Sequence, residues 1–181
     1  MPYPETNNFF FIEKTVPGHI RHRVDISEGK VIERKKYLDK LKLANEWLRL
    51  LISQINQFDE QALIIIVADH GGYVGLDYTL ESVERKQNNL EIKSAFSSIL
   101  TIKWPKDIDS EDLMYKSNVN LFRNIFYTLS KNEDLLRLKL EIESHESSIK
   151  KNQFQICKCV QTERTFMIRI CFFLILVMSV S

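Results

Sequence analysis

Ala62-Leu63-Ile64-Ile65-Ile66-Val67-Ala68 runs directly into Asp69-His70-Gly71-Gly72, and this junction decides how the chain is read. An apolar run this short and this rich in β-branched residues suits a strand covered on both faces. In open α/β sheets the ligand crevice lies beyond the carboxyl ends of the strands, which is where Asp69 and His70 fall. A carboxylate oxygen beside an imidazole nitrogen is a donor pair for a divalent metal, zinc or manganese rather than calcium. The following glycines would let backbone approach an ion or a substrate closely. An isolated Asp-His pair is more often a cap beside a surface histidine. Here the apolar strand before it and the glycines after it favour metal ligation.

Working outward, Tyr37, Leu41, Ala44, Leu48, Leu51, Ile52 and Ile55 recur at steps of three and four from Glu33 onward, which predicts an amphipathic helix. Before it, Phe9-Phe10-Phe11-Ile12 reads as a short buried strand, and the Pro17-Gly18 turn leaves His19 at its exit. His22, between Arg21 and Arg23, reads as part of a solvated polar loop, although the two arginines could meet an anion. Downstream, residues 80–91 are polar, 95–102 have strand character stopped by Trp104-Pro105, and 119–129 predict a second amphipathic helix. Residues 135–149 read as a further, mostly solvated helix. The strand, helix, strand order predicts an α/β fold with a mainly parallel sheet and helices on both faces.

The 181 residues and 44% hydrophobic content are enough for one domain with a core. With 25 Lys plus Arg against 24 Asp plus Glu, the net charge of +1 gives no field for nucleic acid. Cys157, Cys159 and Cys171 all lie late in the chain, so no disulfide framework holds the core. Met1-Pro2-Tyr3-Pro4 does not open a secretory signal. The expected division is a domain over 1–150 and a tail over 151–181. The tail is apolar from 166 but carries Arg169 and is short for a bilayer span. It reads either as a tail anchor or as a non-native end with no structural role. No Gly-x-Ser-x-Gly elbow and no dinucleotide fingerprint is present.

Ile64-Ile65-Ile66-Val67-Ala68-Asp69-His70-Gly71 resembles the strand and Asp-His-Gly motif of the alkaline phosphatase and sulfatase superfamily. The likeness extends over residues 9–129. Residues 9–19 resemble a strand that delivers a histidine, Tyr37 to Asn45 the helix before the motif, and Ser98 to Pro105 a later strand ending in proline. Asn118 to Phe122 resembles the helix that closes the domain. The resemblance implies an alkaline phosphatase-like fold, incomplete at its N-terminal side. It also implies a metal-dependent hydrolase or phosphotransferase acting on phosphate or sulfate esters. Asp69 and His70 would ligate the metal, and His19 would bind substrate oxygens or a second metal.

The resemblance further implies a membrane-associated, extracytoplasmic catalytic domain, attached through a missing N-terminal region or through the apolar tail. Two departures stand out. No further histidine follows the Asp-His pair in residues 73–79, and neither Thr6 nor Thr15 opens a helix after a strand as a nucleophile should. The expectation is therefore a fragment without its nucleophile. The alternative is a non-catalytic binding module that keeps part of the metal site.

Overall fold

The computed structural model describes residues 8–108, 118–140, 144–150, 153–159 and 173–178. Thr6, Arg169 and Cys171 lie outside them. The chain divides into two compact units, one formed by Met1–Pro105 with Met167–Ser181 and the other by Lys106–Phe166.

The first unit is built on a four-stranded sheet in the order β1-β6-β2-β3, with β1 Phe9–Lys14, β2 Leu63–Val67, β3 Leu100–Lys103 and β6 Phe173–Met178. Every hydrogen-bonded pair in it is antiparallel. This corrects the expectation of a mainly parallel, alkaline phosphatase-like sheet. Strands β1 and β2 do run in the same direction, since both oppose β6, and helix α1 (Lys30–Phe58) connects them. They are not neighbours, because β6 lies between them. Its register sets Ile175 opposite both Ile12 and Ile66, and Val177 opposite both Phe10 and Ile64.

That central strand comes from the segment expected to be a tail. Phe173-Leu174-Ile175-Leu176-Val177-Met178 has the unbroken apolar character of β2 and supplies it with backbone partners along one side. Strand β3 pairs with the other side. All five residues of β2 are buried. Continuous apolarity therefore did report a strand covered on both faces, but such cover does not require parallel neighbours. The first strand departs in the opposite sense. At the sheet edge, Phe9, Phe10 and Phe11 are 57%, 56% and 62% exposed, so the aromatic run is not a buried strand.

Helix α1 buries the stripe that its spacing foretells. Ala44 and Leu48 pack with Ala62, Ile64, Ile66, Ala68, Ile175 and Val177, joined at the margin by Leu51, Ile52 and Ile55. One turn pattern earlier, Tyr37 joins a second cluster with Ile20, Val74 and Leu76. Lys14 of β1 stacks its ammonium 5.1 Å from the Trp47 ring. The polar stretch after β2 holds a short helix α2 (Glu81–Glu84) and then α3 (Asn89–Phe96). Ala95 and Phe96 thus end a helix, and the strand expected over 95–102 is confined to Leu100–Lys103.

In the second unit, α4 (Leu121–Ser130) is the amphipathic helix expected over 119–129, with Leu121, Asn124, Ile125 and Thr128 on its buried face. The Asn120 amide donates to the Leu140 carbonyl at 2.7 Å and accepts from its N–H at 2.9 Å. Where a long solvated helix was expected over 135–149, α5 spans Asp134–Arg137 and the chain then enters β4 (Ser144–Lys150). Strand β4 pairs antiparallel with β5 (Gln153–Cys159). Among the described residues no helix is long and apolar enough to cross a membrane.

Ile175 is fully buried at the centre of the sheet, so Ile175→Ala should lower unfolding free energy by roughly 2–5 kcal/mol. Phe9→Ala, at the exposed edge, should cost far less, about 0.5 kcal/mol. Urea unfolding of both variants checks the placement of β6, and equal losses would contradict it.

Candidate metal-ligating site

The end of β2 is fixed by the Ala68 N–H donating to the Ile99 carbonyl at 3.0 Å. Asp69 and His70 follow, and the loop behind them is tied to the last turn of α3. The Gly71 N–H donates to the Ala95 carbonyl at 2.6 Å and the Tyr73 N–H to the Ser94 carbonyl at 3.0 Å. A Cβ on Gly71 would collide with the carbonyl oxygens of Ser94, Ala95 and Ser97, and one on Gly72 with the Tyr37 ring. Both glycines are thus required by protein packing.

Helix α3 is itself firmly held. Asn88 caps it, accepting from the N–H groups of Leu90 and Glu91, while Glu91 accepts from the Asn88 N–H in a reciprocal capping box. The Arg85 guanidinium grips the Glu91 carboxylate with two hydrogen bonds of 2.8 and 3.0 Å and reaches Glu81 at 2.8 Å. The Arg85 bonds, followed by the Asn88 N–H, hold the Glu91 carboxyl down at about 2, against an ordinary 4.5.

The second wall comes from the turn after β1. Pro17 is buried, Gly18 takes a left-handed φ of +71°, and the Ile20 N–H donates to the Gly72 carbonyl at 3.3 Å. This bond sets His19 beside the loop that carries His70. Beyond it the chain turns away. The Thr79 and Leu80 N–H groups donate to the Arg21 and His22 carbonyls, His22 Nδ1 meets the Thr79 hydroxyl at 2.6 Å, and Arg23 makes a bidentate pair with Asp25. His22 and Arg23 therefore belong to a side-chain-bonded loop, as the polar reading had it.

Hydrogen bonding determines the tautomers of both site histidines. His70 Nδ1 lies 2.8 Å from the Gly71 carbonyl, and His19 Nδ1 lies 2.6 Å from the Ile20 carbonyl. A carbonyl only accepts, so each Nδ1 carries a hydrogen, which leaves Nε2 as the other ring nitrogen. For His70 that nitrogen faces Asp69 Oδ2 at 3.3 Å, while Asp69 Oδ1 accepts from the His70 N–H at 2.9 Å. The imidazole nitrogen and the carboxylate oxygen thus form a close pair. The pair opens to solvent, with 55% of the Asp69 side chain and 33% of the His70 side chain accessible.

Tyr73 is the site residue that the sequence did not disclose. Its ring meets His70 edge-on at 5.4 Å between centroids and His19 at 6.5 Å, so it links the two histidines. Its backbone is left-handed at φ +56°, a conformation that costs a non-glycine residue roughly 1–2 kcal/mol. No residue pattern announces that angle. The support from α3 did have a signal, since Asn88-x-x-Glu91 is a capping-box spacing inside the polar stretch.

Among the described residues no group of three or more His, Cys, Asp or Glu side chains is arranged to hold a metal ion. The groove lined by Val31, Arg34, Leu38 and Asn45 belongs to α1 and includes none of His19, Asp69 and His70. No family model, curated protein or solved structure matches the chain.

A carboxyl held low in the folded state stabilises it above the ordinary value, and that contribution is lost as pH falls from 4.5 through about 2. Arg85→Met should therefore destabilise the protein near neutral pH and flatten this part of its acid limb. Urea midpoints compared at about pH 7 and about pH 3 test it, with equal acid losses in parent and variant as the contrary result.

Proposed function

We propose that this chain carries part of the metal site of a hydrolase or phosphotransferase acting on phosphate or sulfate esters, with Asp69 and His70 as ligands of a zinc or manganese ion. The observation that carries the reading is the 3.3 Å between Asp69 Oδ2 and His70 Nε2. Ligands about 2.0–2.1 Å from zinc and separated by a tetrahedral angle lie about 3.3 Å apart, so the separation is compatible with zinc. The Nδ1–H bond to the Gly71 carbonyl is also the arrangement that orients metal-binding imidazoles.

Such an ion would supply Lewis acidity toward an ester oxygen. His19 shares the same tautomer and serves in this reading as the group that meets the oxyanion of the substrate. The class of ester rests on the motif resemblance, and the metal-binding step rests on the geometry. The reading assigns the chain no nucleophile. The absence of a third clustered ligand among the described residues favours a second version, in which the chain binds metal or anion without turnover.

Zinc titration by calorimetry separates a metal from a proton at this pair. It should use the full chain with Cys157, Cys159 and Cys171 replaced by serine, so that thiolates do not compete. One zinc should bind, and His70→Ala and Asp69→Ala should each weaken it on the order of tenfold or more. Equal affinity in parent and both variants would remove the ligand assignment. Phosphate- and sulfate-monoester hydrolysis should be absent from the chain alone, and turnover that disappears in Asp69→Ala would show that it is a complete catalyst.

A further inference from the structure

We propose that the open edge of β1 is a self-association surface, at which β1 of a second copy of this chain adds antiparallel and extends the sheet. Strand β1 pairs with β6 over an unbroken register, and among the described residues no strand lies against its other side. Backbone N–H and C=O groups that face away from the only neighbour of an edge strand form a template for another chain. Sheets ordinarily blunt such an edge with proline, a bulge or a charge. From Phe9 to Ile12 this one has none of them. Its two charged residues, Glu13 and Lys14, come last, and the Lys14 ammonium is stacked on the Trp47 ring. The edge instead presents Phe9, Phe10 and Phe11, each more than half exposed. Successive residues of a strand face opposite sides of the sheet, so aromatic rings flank the open edge on both faces.

The strand's own sequence favours its copy as the occupant. In a two-fold antiparallel pair centred on Phe11, each Phe11 meets its counterpart, Phe10 lies opposite Ile12 of the other copy, and Phe9 lies opposite Glu13. Aromatic pairs and aromatic–β-branched pairs are favourable across strands, and the like charges are kept at opposite ends. A parallel copy in register would instead set Glu13 against Glu13 and Lys14 against Lys14. The net charge of +1 leaves little repulsion between two copies.

The area sets the strength. A phenylalanine brings about 150–250 Å² of surface, so covering the exposed parts of six rings buries roughly 700 Å², to which the paired backbone adds. Stable interfaces begin near about 1,200 Å². The expected association is therefore reversible, with a Kd on the order of micromolar or weaker.

Sedimentation velocity of the full chain tests this, with Cys157, Cys159 and Cys171 replaced by serine to exclude disulfide dimers. A monomer–dimer equilibrium should develop between about 1 μM and about 1 mM. Phe9→Lys and Phe11→Lys place a charge on the exposed edge, and each should raise the midpoint concentration about tenfold or more while circular dichroism stays unchanged. Hydrogen exchange gives a readout that needs no variant. The β1 amides that do not bond to β6 should exchange more slowly as protein concentration rises, and the amides of β3, at the other edge, should not. A chain that stays monomeric throughout, a dimer that both lysine variants leave intact, or protection gained at β3 rather than β1 would overturn the proposal. So would β1 protection that appears only in a monomer bound to phosphatidylcholine vesicles, which would assign the aromatic edge to a lipid surface.

Discussion

The first unit depends on backbone pairing to both sides of β2, and the side toward β1 is filled by β6. Strands β1 and β2 run in the same direction with α1 between them in sequence, so each offers an edge that the other does not meet. Residues 173–178 satisfy both edges at once. The same strand contributes Ile175 and Val177 to the cluster under Ala44 and Leu48, so hydrogen bonding and apolar burial converge on one segment. Everything at the exit of β2 inherits its position from this arrangement.

The sequence disclosed individual elements better than their pairing. Periodicity over 33–55 located α1, seven apolar residues located β2, and the turn at Pro17-Gly18 placed the end of β1 correctly. A strand, helix, strand order with codirectional strands is also present. What that order could not reveal was a third strand from much later in the chain inserted between the two, because pairing partners leave no local signature. The segment itself was visible as apolar, but Arg169 and its length were weighed against a bilayer rather than against a sheet. In the second unit the failure was different in kind. Charged residues over 135–149 fit a solvated helix by composition, and the strand at Ser144–Lys150 carries little strand propensity to set against it.

The candidate site divides in the same way. The positions of Asp69, His70 and His19 after a strand or a turn were legible because those signals are local. The structure brings His70 and His19 to one aromatic ring. The contact of the Tyr73 ring with both imidazoles was illegible because it arises from the fold and from a left-handed backbone angle. Gly71 and Gly72 are small because α3 and Tyr37 press against them, and the effect is to lock the loop.

That locking explains how a two-residue donor set could act on an ion. Adjacent side chains on a mobile loop pay a large ordering cost before they can chelate, and the cost falls when both are already oriented. Asp69 is oriented through Oδ1 by the His70 N–H, and His70 through Nδ1 by the Gly71 carbonyl, so the two remaining donor atoms face each other. Their exposure would leave the other coordination positions of a bound ion facing water. Structural zinc sites are closed by four protein ligands, whereas catalytic ones keep a position for water or substrate. In the proposed reading, a pre-oriented pair at an open strand end would belong with the second kind, and its affinity would depend on how rigidly the surrounding loop holds the 3.3 Å separation.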